Sequence, residues 1–210
     1  MLRREEELYG FALQGPDGTI GRIQDFYFDE QTWKIRYLLL KTSDWPIQRQ
    51  VFVAPSVLES CFWERRSYSA LLTKKQVEKS PDVGLGSHLS CNHFAKLDQY
   101  YGWSPCVPNE LALLGQKEGY PILSSIRGLL GYSVDVGGTE IGPVEDLLID
   151  DSDWRIRYLA VTTGEWSRGQ RRLVRREWIE NISRPERKIY AHVGPAPVLS
   201  TRRHYQRLAH

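Results

Sequence analysis

The chain contains one stretch of sequence twice. A fixed offset of 121 residues, with no gap, lays Gly10 on Gly131, Ile20-Gly21 on Ile141-Gly142, Asp25 on Asp146, Asp29 on Asp150 and Trp33 on Trp154. The run Ile35-Arg36-Tyr37-Leu38 falls on Ile156-Arg157-Tyr158-Leu159, and Thr42, Trp45, Val53 and Glu59 fall on Thr163, Trp166, Val174 and Glu180. These are 14 identities in the 50 positions from 10 to 59. Other pairs change conservatively, such as Phe11 with Tyr132 and Ile23 with Val144. An ungapped match of this length marks one structural unit used twice, so the two halves must adopt the same fold. A second echo, His93-Phe94-Ala95-Lys96-Leu97 with His204-Tyr205-Gln206-Arg207-Leu208, runs at offset 111, ten residues shorter.

Within one copy the pattern is that of short strands. Residues 9–14 read as a strand, and Gly15-Pro16-Asp17-Gly18 as a turn in which Pro presets φ and Asp-Gly tolerates positive φ. Residues 20–29 form a longer strand. Residues 33–42 form the clearest one, with Trp33, Ile35, Tyr37 and Leu39 on one face under the period of two. A short strand at 50–53 ends before Pro55, and two weaker ones follow at 60–65 and 67–72. Thr73-Lys74-Lys75-Gln76 is a capping box that opens a short helix through Ser80, stopped by Pro81. The second copy repeats the strands at 132–136, 141–150, 154–163, 171–174 and 188–193, with Gly194-Pro195-Ala196-Pro197 where the helix would start. Five or six short strands in a unit this small favour a closed barrel, which removes exposed sheet edges.

Bulk properties exclude several classes. Hydrophobic residues at 41% and charged residues at 26% argue for a globular chain. The net charge of +2 is low for a nucleic-acid binder. All of it comes from residues 131–210, which hold 13 basic against 11 acidic residues; residues 1–130 hold 15 of each. Cys61, Cys91 and Cys106 are odd in number and irregular in spacing, which reads as free thiols rather than a disulfide framework. The first residues, Met1-Leu2-Arg3-Arg4-Glu5-Glu6-Glu7, carry no apolar signal-peptide core, and no run approaches the roughly 20 apolar residues of a membrane span. The expectation is a cytoplasmic protein with no integral membrane segment.

The combination Gly10-Phe11, Ile20-Gly21-Arg22-Ile23-Gln24-Asp25 and Asp29 through Leu38 resembles the PRC-barrel family. It recurs as Gly131-Tyr132, Ile141 through Asp146 and Asp150 through Leu159. Leu72 through Pro81 and Tyr100-Tyr101-Gly102-Trp103 are similar to stand-alone bacterial members that carry two such barrels. The resemblance implies a mainly β chain of two tandem small PRC-type β-barrels with short helical tails. It divides the chain into barrel 1 at 1–83, a linker with an aromatic and helical tail at 84–122, barrel 2 at 123–194 and a C-terminal tail at 195–210. The family includes the cytoplasmic part of the photosynthetic reaction-centre H subunit and the C-terminal part of the ribosome-maturation factor RimM. In both, the barrel serves binding or assembly.

Candidate site residues follow from side-chain chemistry. Asp25/Asp146 and Asp29/Asp150 could act as acid–base or metal-binding carboxylates, but their recurrence in both copies fits carboxylates that hold backbone N–H groups. His88, Cys91, His93 and Cys106 do not have zinc spacing, so neither a metal nor another cofactor is expected. No nucleophile elbow, zincin, Walker or dinucleotide motif occurs, and the chain is expected not to be an enzyme. Arg168, Arg171, Arg172, Arg175 and Arg176 crowd one short stretch where the first copy has Ile47, Gln50, Val51, Ala54 and Pro55. They are a candidate binding patch for phosphates or an acidic protein face; the bland alternative is a solvated strand balanced by Glu165, Glu177 and Glu180. Tyr100, Tyr101 and Trp103 are a candidate aromatic docking element, for a barrel of this chain or a second subunit. The leading expectation is an adaptor or scaffold with an unidentified protein partner or a second copy of itself. RNA or ribonucleoprotein binding through the arginines is the alternative, and a peripheral role in a photosynthetic membrane complex is a third.

Overall fold

A computed structural model of the chain describes residues 1–42, 49–84, 86, 88–105, 122–163, 170–192 and 199–200. The repeated Trp45 and Trp166, Cys106, Arg168 and the motif at 204–208 lie outside the described residues. In chain order the elements are β1 (Leu2–Arg4), α1 (Glu5–Leu8), β2 (Ala12–Gly15), β3 (Gly18–Asp29), β4 (Ile35–Lys41), β5 (Gln50–Val53), β6 (Leu58–Phe62) and β7 (Ser67–Ala70). Then come α2 (Lys74–Glu78), β8 (His88–Ser90), α3 (Ala95–Tyr101), β9 (Ile122–Ser125), α4 (Ile126–Leu129), β10 (Ser133–Val136) and β11 (Thr139–Asp150). The chain ends with β12 (Arg155–Thr163), β13 (Gln170–Arg175), β14 (Ile179–Ser183), β15 (Lys188–Ala191) and β16 (Leu199–Ser200).

The protein is mainly β and forms two compact units, Leu8–Arg127 and Met1–Glu7 with Gly128–His210. The first unit has strand order β5-β4-β3-β2-β7-β6, and the second has β13-β12-β11-β10-β15-β14. The two orders coincide at offset 121. β2–β7 and β10–β15 are the parallel pairs in sheets whose other pairs are antiparallel. The sequence suggests closed barrels, but the hydrogen-bonded path is open among the described residues: no ladder joins β5 to β6 or β13 to β14. The chain passes between them through a 3-10 turn, Pro55–Val57 and Arg176–Trp178, whose own backbone bonding replaces the ladder.

Each unit also carries a strand from the segment that precedes the other copy. In the second unit, β1 pairs with β11 in the register Leu2↔Asp150, Arg3↔Ile149, Arg4↔Leu148. In the first, β9 pairs with β3 in the register Leu123↔Asp29, Ser124↔Phe28, Ser125↔Tyr27. The two registers are the same at offset 121, so the structural repeat begins at residue 2, ahead of the identities. The compact units therefore cross the sequence boundaries at 83/84 and 122/123. Residues 1–7 join the second copy. The described residues of the segment read as a linker belong to the first unit, where Phe94 and Leu97 are fully buried.

Both faces of β3 and β4 are covered, which explains the uninterrupted Leu38-Leu39-Leu40. One face packs Phe11, Leu13, Ile20, Phe26, Phe28, Ile35, Leu38, Leu40 and Val53 out of water. Full burial of each such side chain stabilises by ~1.5–3 kcal/mol. The other face gathers Tyr27, Tyr37, Leu39 and Phe52 under Leu89, Phe94, Leu97 and Leu123, with Phe94 stacked on Tyr37 at 4.1 Å. The second unit has a smaller version, Leu148, Ala160 and Leu173 with Leu2 and Tyr158 alongside. These five positions are the offset-121 partners of Tyr27, Leu39, Phe52, Leu123 and Tyr37.

The expected alternation fails at two residues: the ladder skips Arg36, which puts Ile35 on the face opposite Tyr37 and Leu39, and Trp33 leaves the strand altogether. It does not begin the strand but ends the turn before it, at φ 55, and Trp154 does the same at φ 57. The Trp33 N–H bonds the Asp29 carbonyl at 2.7 Å, and the Trp154 N–H bonds that of Asp150 at 2.8 Å, closing each turn. The left-handed backbone swings the indole out of the strand's period, and Trp33 buries it against Phe28. The repeated Ile-Gly has a steric cause: a Cβ on Gly21 would sit 2.7 Å from the Lys41 carbonyl oxygen, and one on Gly142 would collide with that of Thr162. The capping box forms as its sequence implies, although the helix ends at Glu78, two residues early. Asp17, from the turn before β3, adds a cap by accepting the Lys74 N–H at 2.6 Å.

Candidate binding surfaces

The paired aspartates hold backbone. Asp25 and Asp146 follow a β-bulge at the same place in β3 and β11, where the ladder skips one residue. A bulge leaves an N–H without a ladder partner. Each carboxylate accepts the next N–H, Phe26 at 2.8 Å and Leu147 at 2.9 Å. The remaining oxygens differ between copies. Asp25 accepts the Ser125 hydroxyl and the Arg127 N–H, while Asp146 takes the Arg4 guanidinium. Burial raises both carboxyl pKa values above the ordinary aspartate value, against the pull of these donors. Asp29 and Asp150 cap the following turn through Gln31 N–H at 2.8 Å and Ser152 N–H at 3.2 Å.

The arginine stretch does not form one patch among the described residues. Along β13, Arg171, Leu173 and Arg175 share one face, and Arg172 lies on the other with Val174. Arg171 pairs with Glu145 at 3.2 Å. The same two positions in the first copy hold Gln50 and Gln24, hydrogen-bonded at 2.6 Å, so the ion pair substitutes for an amide pair in a shared fold. Arg175 stands over the Tyr158 ring at 6.0 Å. Arg176 opens the 3-10 turn where the first copy has Pro55. Arg168 is outside the described residues.

The aromatic element docks on its own unit. Trp103 stacks on Tyr101 at 4.2 Å, and both pack against the cluster around Tyr37 and Phe94. The Tyr100 hydroxyl donates to the Gln76 carbonyl at 2.9 Å, while its ring is about two-fifths exposed. No group of three or more His, Cys, Asp or Glu side chains that could hold a metal occurs among the described residues. No helix among them is long and apolar enough to cross a membrane.

Two features escaped the sequence reading. The Tyr37 hydroxyl donates to a buried carboxylate, Asp98, at 2.6 Å, and burial pushes the Tyr37 pKa up. Arg66 and Arg187, equivalent at offset 121, both adopt positive φ and stand over Phe11 and Tyr132 at 4.9 and 4.8 Å. Extending the offset past residue 59 would have found that pair.

The strand order, the bulge with its aspartate and the turn closed by a left-handed Trp recur in both units. Residues 124–196 match the PRC-barrel domain. The match thus runs from the middle of β9 through the second copy, and the first copy repeats the strand order and register of the matched segment. No curated protein matches the chain.

Proposed function

We propose that the chain is a non-catalytic adaptor built from two PRC-type domains, the first copy being the second example of the fold, and that it works through protein–protein contacts. The observation that carries this reading is where the two copies agree and where they differ. Most of the described identities are inside: Ile20, Gly21, Asp25, Asp29, Trp33, Ile35, Tyr37, Leu38, Thr42 and Val53 are buried in the first copy. Outward-facing positions change character, with Gln24, Gln50, Lys41 and Arg127 replaced by Glu145, Arg171, Thr162 and Glu6. One scaffold therefore presents two chemically different surfaces, as a bridge between different partners requires. PRC-barrel domains serve as interaction modules, which supports the same reading. The test is affinity capture of the tagged full chain from its own cells, with and without nuclease, read by mass spectrometry. Protein partners that survive nuclease support the adaptor. Partners that vanish with nuclease, chiefly ribosomal, would replace it with ribonucleoprotein binding, for which phosphate contacts predict steep salt dependence. Sedimentation of the purified chain tests the second-copy partner.

A further inference from the structure

A cavity of about 280 Å³ opens in the Leu8–Arg127 unit, beside the bulge of β3. Tyr9, Gly10, Arg22, Ile23, Gln24, Lys41 and Arg127 line it. Three of these are cations, and none of the lining residues described is a carboxylate. Arg22, Lys41 and Arg127 are all exposed, and none makes an ion pair among the described residues. Arg22 directs one N–H to the Gly10 carbonyl at 3.0 Å, which fixes its guanidinium at the rim. Arg127 stands over the Tyr9 ring, 4.4 Å from its centroid, with its backbone N–H held by Asp25. Each guanidinium thus has one contact within the unit that restrains it, which lowers the entropic cost of binding.

The second copy supplies an internal control. At offset 121 the lining becomes Leu130, Gly131, Pro143, Val144, Glu145, Thr162 and Glu6, with no cation and two acids. Those acids are taken up by Arg171 at 3.2 Å and Arg4 at 2.6 Å. The fold therefore needs no positive charge here, and the first copy lines this concavity with three cations where the second has none.

We infer that this cavity is a binding site for a phosphate monoester. Two oriented guanidinium forks and an ammonium match a tetrahedral oxyanion, and a monoester carries nearly two negative charges at neutral pH. The cavity is open to solvent and has room for the phosphate and a few further atoms. The phosphate can belong to a soluble metabolite or to a lipid headgroup.

The test is a titration of the isotopically labelled full chain with inorganic phosphate and with glycerol phosphate at constant ionic strength, followed by amide and arginine Nε NMR signals. Flotation with phosphatidic-acid and phosphatidylcholine vesicles runs in parallel. The variant R22Q/K41T/R127E places at two positions the residues that the same fold already holds in the other copy, and its dispersed spectrum checks folding. The expected result is saturable shifts at Gly10, Arg22, Lys41 and Arg127, weakened at least about tenfold in the variant and unchanged in R171Q/R175Q. Saturation by the soluble phosphates without flotation assigns a soluble ligand. Flotation on phosphatidic acid that the variant loses assigns a lipid headgroup. Shifts that are absent, non-saturating, centred elsewhere or undiminished in the variant would overturn the inference.

Discussion

Replacing Arg4 with Met should destabilise the unit that contains the second copy, and the loss should depend on pH in a direction fixed by Asp146. The Asp146 side chain is 2% exposed and that of Arg4 is 23% exposed, and their ion pair joins β1 to the bulge of β11. Met keeps most of the aliphatic stem and removes the charge. A hydrogen bond to a charged group contributes ~1.5–3 kcal/mol, and breaking a fully buried ion pair costs ~3–5 kcal/mol. Arg4 reaches solvent and Asp146 can take up a proton, so the lower range applies, about 2 kcal/mol at pH 8. Burial already raises the Asp146 pKa, and the guanidinium pulls it back down. Without Arg4 it rises further. A carboxyl whose folded pKa is raised binds more proton in the native than in the unfolded state, from its unfolded value near ~3.9 up to its folded value. Stability therefore falls as pH climbs through that window, and R4M widens the window. The deficit relative to the parent should be small at pH 4 and full at pH 8. The assay is urea unfolding read from individual β11 and β12 amide signals, since a chain of two units need not unfold in one step. A deficit below about 0.5 kcal/mol at pH 8, or one equal at pH 4 and pH 8, would refute the reasoning. R4M/D146N should lose the pH dependence.

Ser125→Ala removes one of the donors to Asp25 but leaves the Phe26 and Arg127 N–H groups, and should cost about 1 kcal/mol in urea unfolding of the Leu8–Arg127 unit. Phe94→Ala empties a fully buried site stacked on Tyr37, and calorimetry should show a loss of ~3–5 kcal/mol confined to that unit. Tyr37→Phe withdraws a hydroxyl from buried Asp98; a loss of ~1–3 kcal/mol is expected, with near-neutrality excluding a structural role for that bond. E145Q/R171Q installs the amide pair of the first copy in place of an exposed ion pair, and the urea midpoint should move by less than about 0.5 kcal/mol equivalent.

The parts of the fold legible in the sequence are those with local causes. Turn-capping aspartates, the Thr73–Gln76 capping box and most strand alternation depend on residues close together in the chain, so periodicity and turn chemistry reveal them, and the repeat shows in the sequence because the same local pattern is written twice. Trp33 misled because alternation continues smoothly through it. Only the turn hydrogen bond to Asp29 forces its left-handed backbone. The arginine stretch looked like one patch because sequence compresses two strand faces into one line, whereas β13 sends Arg171 and Arg175 away from Arg172. The cavity cations were invisible for the opposite reason, as residues 22, 41 and 127 come together only when β3, β4 and the start of α4 are assembled. The largest gap concerns β1 and β9. Leu2-Arg3-Arg4 and Leu123-Ser124-Ser125 share a single residue and show no strand pattern, yet they occupy the same register on β11 and β3. Strands of three or four residues gain their stability from the sheet they join, so a pairing about which the local sequence is silent is decided by the edge that tertiary structure offers.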